Sequence, residues 1–308
     1  MARIYEQAYF GDSLVQFADA KLSVASSAVL YGMSVYTVFP IHIDDQGRRV
    51  AFRLFDHYKR LLTSSRIMGI TSFEGRWTEE RFFVAVQDLI IANRIKDDAF
   101  VRVTVHLDEL VPGVRSRDIS STLSMFAYQA VPILPQGGAR LKTTHWRRVP
   151  DVAIPPRAKV NGAYVNSVLG KQDALDSGYD DCVFLDTAGH VSELSAANIF
   201  LVRNNVLITP AVPGDLLEGI SRTTILELAK DLGIQTIERT VDLTELYVAD
   251  EVFASGTSAY LAPVVEIDSR KIANGAMGSV TRRLYEHYHA LLRGKDEHYS
   301  HLVARFDQ

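Results

Sequence analysis

The stretch Pro155-Pro156-Arg157-Ala158-Lys159-Val160-Asn161-Gly162-Ala163-Tyr164-Val165-Asn166-Ser167 decides how this chain is read. Lys159 stands just ahead of an amphipathic helix expected over 164–177, which Gly178 ends. A lysine that acts as a nucleophile must shed its proton near neutrality, which requires partial burial or a neighbouring positive charge. Its apolar neighbours, Ala158 and Val160, make this an unusual place for a solvated lysine. A surface lysine at a strand end is the ordinary alternative. The company Lys159 keeps argues against it.

Glu193 follows in the strand-like run 191–200, Val-Ser-Glu-Leu-Ser-Ala-Ala-Asn-Ile-Phe. Taken alone it is a strand-end glutamate facing water; opposite a pyridine nitrogen, a carboxylate keeps that nitrogen protonated. Gly219-Ile220-Ser221 opens a helix, where backbone N–H groups and a hydroxyl form a phosphate site, although many helices begin this way for capping alone. Gly256-Thr257-Ser258 follows a strand over 251–254 and can cup the other side of an anion as a nest of N–H groups. Arg53, at the end of an early strand, offers the planar fork suited to phosphate. An amine, a carboxylate and two anion cradles are the parts that hold pyridoxal phosphate, whose aldehyde the amine takes as an imine.

Across 308 residues, 47% apolar and 23% charged side chains describe a globular protein long enough for one large domain or two ordinary ones. A formal charge of −4, with Lys and Arg scattered, argues against a nucleic-acid surface. No apolar run approaches the ~20 residues of a membrane span, and the first residues lack a secretory signal. The single cysteine, Cys182, excludes an internal disulfide, and its apolar neighbours predict a buried, inert thiol. The expected compartment is cytoplasmic. His298 and His301 could share a face, but a pair without a third ligand makes no metal site, and none is expected.

Strand and helix signals alternate through the first hundred-odd residues. Ser34–Ile43 and Arg49–Leu54 read as strands paired about a turn at 44–47. Asp56 is expected to cap a helix through Met68, and Thr78 a second one with Phe82, Phe83, Val86, Leu89 and Ile90 inward. Further strands fall at Ala99–Leu107 and Ser121–Val131. Residues 131–138, Val-Pro-Ile-Leu-Pro-Gln-Gly-Gly, read as a linker. Beyond it come hairpins turning at 186–189 and at Asn204-Asn205, a helix over 221–232 stopped by Gly233, and a last helix from Ser279 to about Leu292. The mix predicts two α/β (α+β) domains: a smaller one over 1–130, and a larger one over 139–308 that binds the cofactor.

The ordered motifs Phe52-Arg53 with His57 and Arg60-Leu61, Lys159-Val-Asn-Gly-Ala-Tyr164, Ser192-Glu193 to Asn198-Ile-Phe200, Leu217-Glu-Gly219-Ile220-Ser221-Arg222, Leu246-Tyr247 with Asp250-Glu251, and Ser255-Gly256-Thr257 carry a resemblance. They resemble the fold type IV pyridoxal phosphate enzymes, with a D-amino acid aminotransferase-like fold, and most closely the branched-chain aminotransferase group. The resemblance covers nearly the whole chain. It implies that Lys159 holds the cofactor as an imine and that Tyr164 hydrogen-bonds the ring oxygen. It also implies that Glu193 pairs with the ring nitrogen, and that Arg53, Gly219, Ile220, Ser221, Gly256 and Thr257 hold the phosphate. A homodimer is implied too, its pocket at the domain boundary and completed by a loop of the partner subunit; assembly beyond a dimer stays open.

The implied activity is transamination between an amino acid, branched-chain L-amino acids first, and a 2-oxo acid such as 2-oxoglutarate, with ping-pong kinetics. Tyr31, Tyr36, Arg102 and Ser258 fall on the substrate side, with Tyr31 and Arg102 resembling the pair that receives a distal carboxylate. Arg102 read alone is equally an outward-facing strand charge. The chain departs from the pattern at Thr37, where glutamate is usual, at Phe100, where tyrosine is usual, and in Met125–Tyr128, near which a tryptophan is usual. A loop over 111–117 carries two extra cations. These departures keep D-amino-acid or (R)-amine transamination and aminodeoxychorismate lyase as alternatives. A cofactor-free binding protein of the same fold is opposed by the joint presence of Lys159 and Glu193.

Overall fold

Residues Ser121–Gln129 bury every second side chain, the period of a strand with one covered face. The computed structural model to which this strand belongs describes residues 2–110, 113–213 and 215–306. Val111 and Pro112 of the 111–117 loop therefore lie outside the described residues. The chain divides into two units, Met1–Val131 with Ala158–Gly162 and Ala290–Gln308, and Pro132–Arg157 with Ala163–His289.

In the first unit the strands are β1 (Ile4–Phe10), β2 (Ser13–Gln16), β3 (Ser34–Ile43), β4 (Arg49–Phe52), β5 (Ala99–Leu107) and β6 (Ser121–Gln129). Among the described residues they form one sheet in the order C-terminal strand (Val303–Phe306), β4, β3, β5, β6, β1, β2, every neighbour antiparallel. β3 pairs with β5 from Ser34 opposite His106 to Ile41 opposite Ala99. The helices are α1 (Ser27–Tyr31), α2 (Leu54–Ile67), α3 (Thr71–Glu74) and α4 (Glu79–Ala92). Thr78 caps α4 as expected, its side chain accepting from the Arg81 N–H, and Phe82, Ala85, Val86, Leu89 and Ile90 are buried. Phe83 is only half-buried and stacks on Phe306.

The expected start of α2 is corrected. Arg53 adopts a left-handed conformation (φ 57°) and is itself the cap, so β4 stops at Phe52, the helix begins at Leu54, and Asp56 lies in its first turn. Nothing in the local sequence marks an arginine for that conformation, which glycine or asparagine normally takes.

The second unit contains β7 (Ala139–Arg147), α5 (Tyr164–Asp176), β8 (Asp181–Leu185), β9 (Val191–Leu194), β10 (Asn198–Arg203), β11 (Val206–Pro210) and α6 (Ile220–Asp231). It continues with β12 (Thr236–Arg239), α7 (Leu243–Tyr247), β13 (Glu251–Gly256), β14 (Tyr260–Ile267), the short β15 (Arg270–Lys271) and α8 (Ser279–Leu292), which runs on past the unit. The sheet runs β12-β11-β10-β13-β14-β7-β8-β9, with parallel pairs at β12/β11, β14/β7 and β7/β8. Asn204 and Asn205 both take positive φ in the β10–β11 hairpin, as the two-residue turn demands. Gly170 lets α5 lie close on β8, since a Cβ there would come within 2.3 Å of the Phe184 ring. Cys182 is buried beside that ring, and burial followed by the Asp181 carboxylate pushes its thiol pKa up. Glu251 caps α8, accepting from the N–H groups of Val280 and Thr281 at 3.0 and 2.7 Å. Among the described residues no helix is long and apolar enough to cross a membrane.

In the first unit Asp98 meets Nδ1 of His42 at 3.0 Å and Arg293 at 2.7 Å, and accepts from the Ile43 N–H at 3.1 Å. Burial alone would raise its pKa, but these partners outweigh burial and bring it down to about 2. A depressed carboxylate stabilises the fold above its unfolded value and loses that contribution as pH falls through the folded one. Asp98→Asn should therefore cost about 1–2 kcal/mol near neutral pH. The deficit should close between the ordinary value of 3.8 and about 2. Urea midpoints measured across pH check this, and a penalty that stays constant into acid contradicts it.

Candidate active site

Lys159 belongs to no helix or strand, yet its backbone is held at both ends. Its N–H donates to Ser64 Oγ at 3.1 Å, and its carbonyl accepts from the Tyr36 N–H at 2.9 Å. Val160 bridges Val35, and the Asn161 N–H donates to the Ser34 carbonyl, so the segment runs beside the start of β3. Two glycines allow this approach: a Cβ on Gly32 would fall 2.8 Å from Gly162 Cα. The half-buried Lys159 side chain then lies over Tyr36, with Nζ 4.9 Å from the ring centroid. Arg102 also lies on that ring, at 3.8 Å, and donates to the Asn161 side chain, which in turn donates to Ser34 Oγ. Arg102 is thus not an outward strand charge.

His57 belongs to the same cluster. It is buried in α2, and Nδ1 shares a hydrogen bond of 2.9 Å with Thr37 Oγ1, to which Arg60 also donates. Burial, then the charges of Arg60, Lys159 and Arg53, hold its pKa well below the usual histidine value. The ring is neutral at neutral pH. Half-burial and nearby positive charge, the two conditions a nucleophilic lysine needs, are therefore both met around Lys159. Tyr31, at the end of α1, is 42% exposed.

In the second unit Glu193 is buried, so it does not face water. Oε1 pairs with Arg148 at 2.7 Å, and Oε2 accepts from Asn198 Nδ2 and the Leu217 N–H at 3.3 and 3.2 Å. Asn198 also donates to the Leu217 carbonyl, in the segment leading to Gly219 and α6. Across the sheet Asn198 stands opposite Ser255, the residue before Gly256. Glu193, Gly219-Ile220-Ser221 and Gly256-Thr257-Ser258 thus gather around one asparagine. The α6 cap, Gly219, supplies no side-chain cap, which leaves first-turn N–H groups for an anion. Thr257 and Ser258 form the turn between β13 and β14, and half-buried Tyr164 begins α5.

Sequence reasoning gave neither Arg148 nor Asn198 a role. The available signal was indirect, since a buried glutamate requires a cation and N–H donors.

The class IV aminotransferase family ("Amino-transferase class IV") matches residues 34–267. The chain belongs to the class IV aminotransferases. It is 36% identical to a probable branched-chain-amino-acid aminotransferase of Aquifex aeolicus, over 95% of this chain and 94% of that one. It superposes on the branched-chain aminotransferase of Thermoproteus uzoniensis, solved with norvaline, at a TM-score of 0.93 and 32% identity, covering 98% and 99% of the two chains. The branched-chain amino acid aminotransferase of T.th., complexed with N-(5'-phosphopyridoxyl)-L-glutamate, matches at 0.90 and 31% identity, covering 97% and 98%.

Class IV aminotransferases depend on pyridoxal phosphate, and the residues of this chain fit it. The cradle is built for close backbone approach: a Cβ on Gly219 would fall 2.2 Å from Asn198 Oδ1, and one on Gly256 would fall 3.2 Å from the Ala196 carbonyl. Gly219→Ala in this aminotransferase should displace Asn198 and release its bonds to Glu193 and Leu217. The expected cost is about 1–3 kcal/mol in urea unfolding, together with weaker cofactor binding. An alanine variant of unchanged stability and affinity would show that the contact is slack.

Proposed function

We propose that this aminotransferase moves the amino group of branched-chain L-amino acids to 2-oxoglutarate. The observation that carries the reading is the setting of Lys159, its amine over the Tyr36 ring and its backbone pinned to Ser64 and Tyr36. The substrate class is supported by the relatives, which are named for branched-chain amino acids, and by the complexes with norvaline and a phosphopyridoxyl-glutamate.

When bound, pyridoxal phosphate supplies an aldehyde for the amino group and a ring that draws electrons from the α-carbon. Lys159 Nζ would hold that aldehyde carbon and, when free, would take the α-proton and later return it, as base and then as acid. Glu193, held by Arg148, would keep a proton on the ring nitrogen, and Tyr164 would donate to the ring oxygen. Arg53 and the N–H groups of Gly219, Ile220, Ser221, Gly256 and Thr257 would hold the phosphate. Neutral His57 adds no charge beside the amine. Tyr36, Arg102, Tyr31 and Ser258 stand on the substrate side, where the Arg102 guanidinium suits a distal carboxylate.

The protein works as a cytoplasmic homodimer. Support comes from apolar side chains left exposed within each unit: Val24, Val29, Leu30 and Tyr31 in the first, and Val165, Val168 and Leu169 on α5 in the second. The buried free thiol of Cys182 suits a reducing compartment. Sedimentation at micromolar concentration should return twice the mass of one chain; a monomer contradicts this part of the reading.

Lys159→Ala should abolish both the visible absorbance of the bound cofactor and turnover, and an active alanine variant refutes the assignment. With the unmodified enzyme, L-leucine, L-isoleucine and L-valine should turn over faster than L- or D-alanine, D-leucine or 1-phenylethylamine. Faster turnover of a D-amino acid or of the (R)-amine overturns the substrate class while leaving the role of Lys159 standing.

A further inference from the structure

The geometry points to Tyr288 as a positioning residue: its phenol orients the Ser221 hydroxyl so that the serine donates its own hydrogen to the cofactor phosphate. The inference rests on Ser221 being a phosphate ligand. Tyr288 is buried in α8, and its O–H donates to Ser221 Oγ at 2.9 Å. A serine hydroxyl carries one hydrogen and two lone pairs and rotates to suit its partners. Once one lone pair holds the tyrosine hydrogen, the serine hydrogen must point away from Tyr288.

The surroundings narrow where it goes. Thr223 and Thr224, one turn into α6, donate back to the carbonyls of Gly219 and Ile220 at 3.3 and 2.9 Å. The corresponding carbonyl for Ser221 is that of Leu217, which lies outside the helix and accepts from Asn198 Nδ2. Ser221 lies in the first turn of α6, where unpaired N–H groups and the helix dipole favour negative charge. A hydroxyl fixed there as acceptor toward Tyr288 is left as donor toward an anion.

The other cradle reaches the same stretch of α8. Tyr260 directly follows the turn after Gly256 and holds φ at 54°, a costly value for a bulky residue that persists only where neighbours enforce it. Its ring packs on His289 at 5.6 Å, and His289 also meets the rings of Tyr285 at 4.2 Å and Tyr288 at 6.2 Å. Two consecutive residues of one helix thus brace Ser221 and the turn carrying Thr257.

Space-filling alone would make the phenol oxygen dispensable, so the test keeps the ring. Enzyme stripped of its cofactor is titrated with pyridoxal phosphate and, separately, with pyridoxal, which has the same ring and aldehyde but no phosphate. Tyr288→Phe should weaken pyridoxal phosphate roughly five- to tenfold, the worth of one hydrogen bond to a charged group's donor, and leave pyridoxal unchanged. Ser221→Ala should show the same selective loss, and the double variant should lose no more than either single one. Wild-type affinity in Tyr288→Phe, or an equal loss for both ligands, overturns the inference. If Ser221→Ala alone keeps full affinity, the assignment of Ser221 itself is wrong, and the role of Tyr288 falls with it.

Discussion

A buried carboxylate at Glu193 is the constraint around which the second unit is arranged. Removing a carboxylate from water costs several kcal/mol unless a counter-charge and hydrogen bonds replace the solvent. Three pieces of chain converge to do so: Arg148 just beyond β7, Asn198 at the start of β10, and Leu217 ahead of α6. Asn198 arrives through the tight connection from β9 to β10, whereas Arg148 and Leu217 come from segments distant in sequence. Breaking a buried pair of this kind by deleting one partner typically costs about 3–5 kcal/mol, more than any exposed ion pair of this chain could be worth. The same contacts that compensate the charge also tie together the two glycine-hydroxyl turns, because Asn198 bonds to the segment before Gly219 and pairs across the sheet with Ser255. Electrostatic compensation and site assembly are one arrangement.

The first unit solves a different problem, that of fixing a long, flexible lysine carried on irregular chain. Functional residues often sit on loops, but only where a rigid scaffold fixes the loop. Here the scaffold is β3, and the close approach of Gly32 and Gly162 brings the lysine segment alongside it. Asn161, two residues past Lys159, is bonded to Ser34 and to Arg102, so a disturbance at Arg102 is felt by the lysine-bearing segment.

Much of this was legible in the sequence. Strand runs with period-two or unbroken apolar character, such as 34–43 and 99–107, match β3 and β5, because both lie in the middle of a sheet where burial dominates local propensity. The Thr78 cap and the Asn204-Asn205 turn were readable from local chemistry. The partners of Glu193 and the tie between Tyr288 and Ser221 were not, since they join residues up to 67 positions apart through side chains with no periodic signature. The two ring contacts on Tyr36 were beyond reach for the same reason: strand alternation says which face a residue takes, not what else arrives there. Arg102 shows the limit well. Its alternation allowed either face, and only the pairing of β3 with β5 places it diagonally across from Tyr36.

At Arg53 sequence reasoning failed on structure, since a strand end was expected and a left-handed helix cap is found. A left-handed backbone costs a non-glycine residue about 1–2 kcal/mol, and a cation at the N-terminal end of a helix opposes the helix dipole. Arg53 does both, at the cap of α2, with the 3.4 Å contact to Asp56 as partial relief. Glycine would satisfy the backbone without strain, and asparagine would tolerate it while capping the helix. The backbone and the helix dipole therefore give no reason for an arginine at this cap, so what favours it over either lies in its guanidinium.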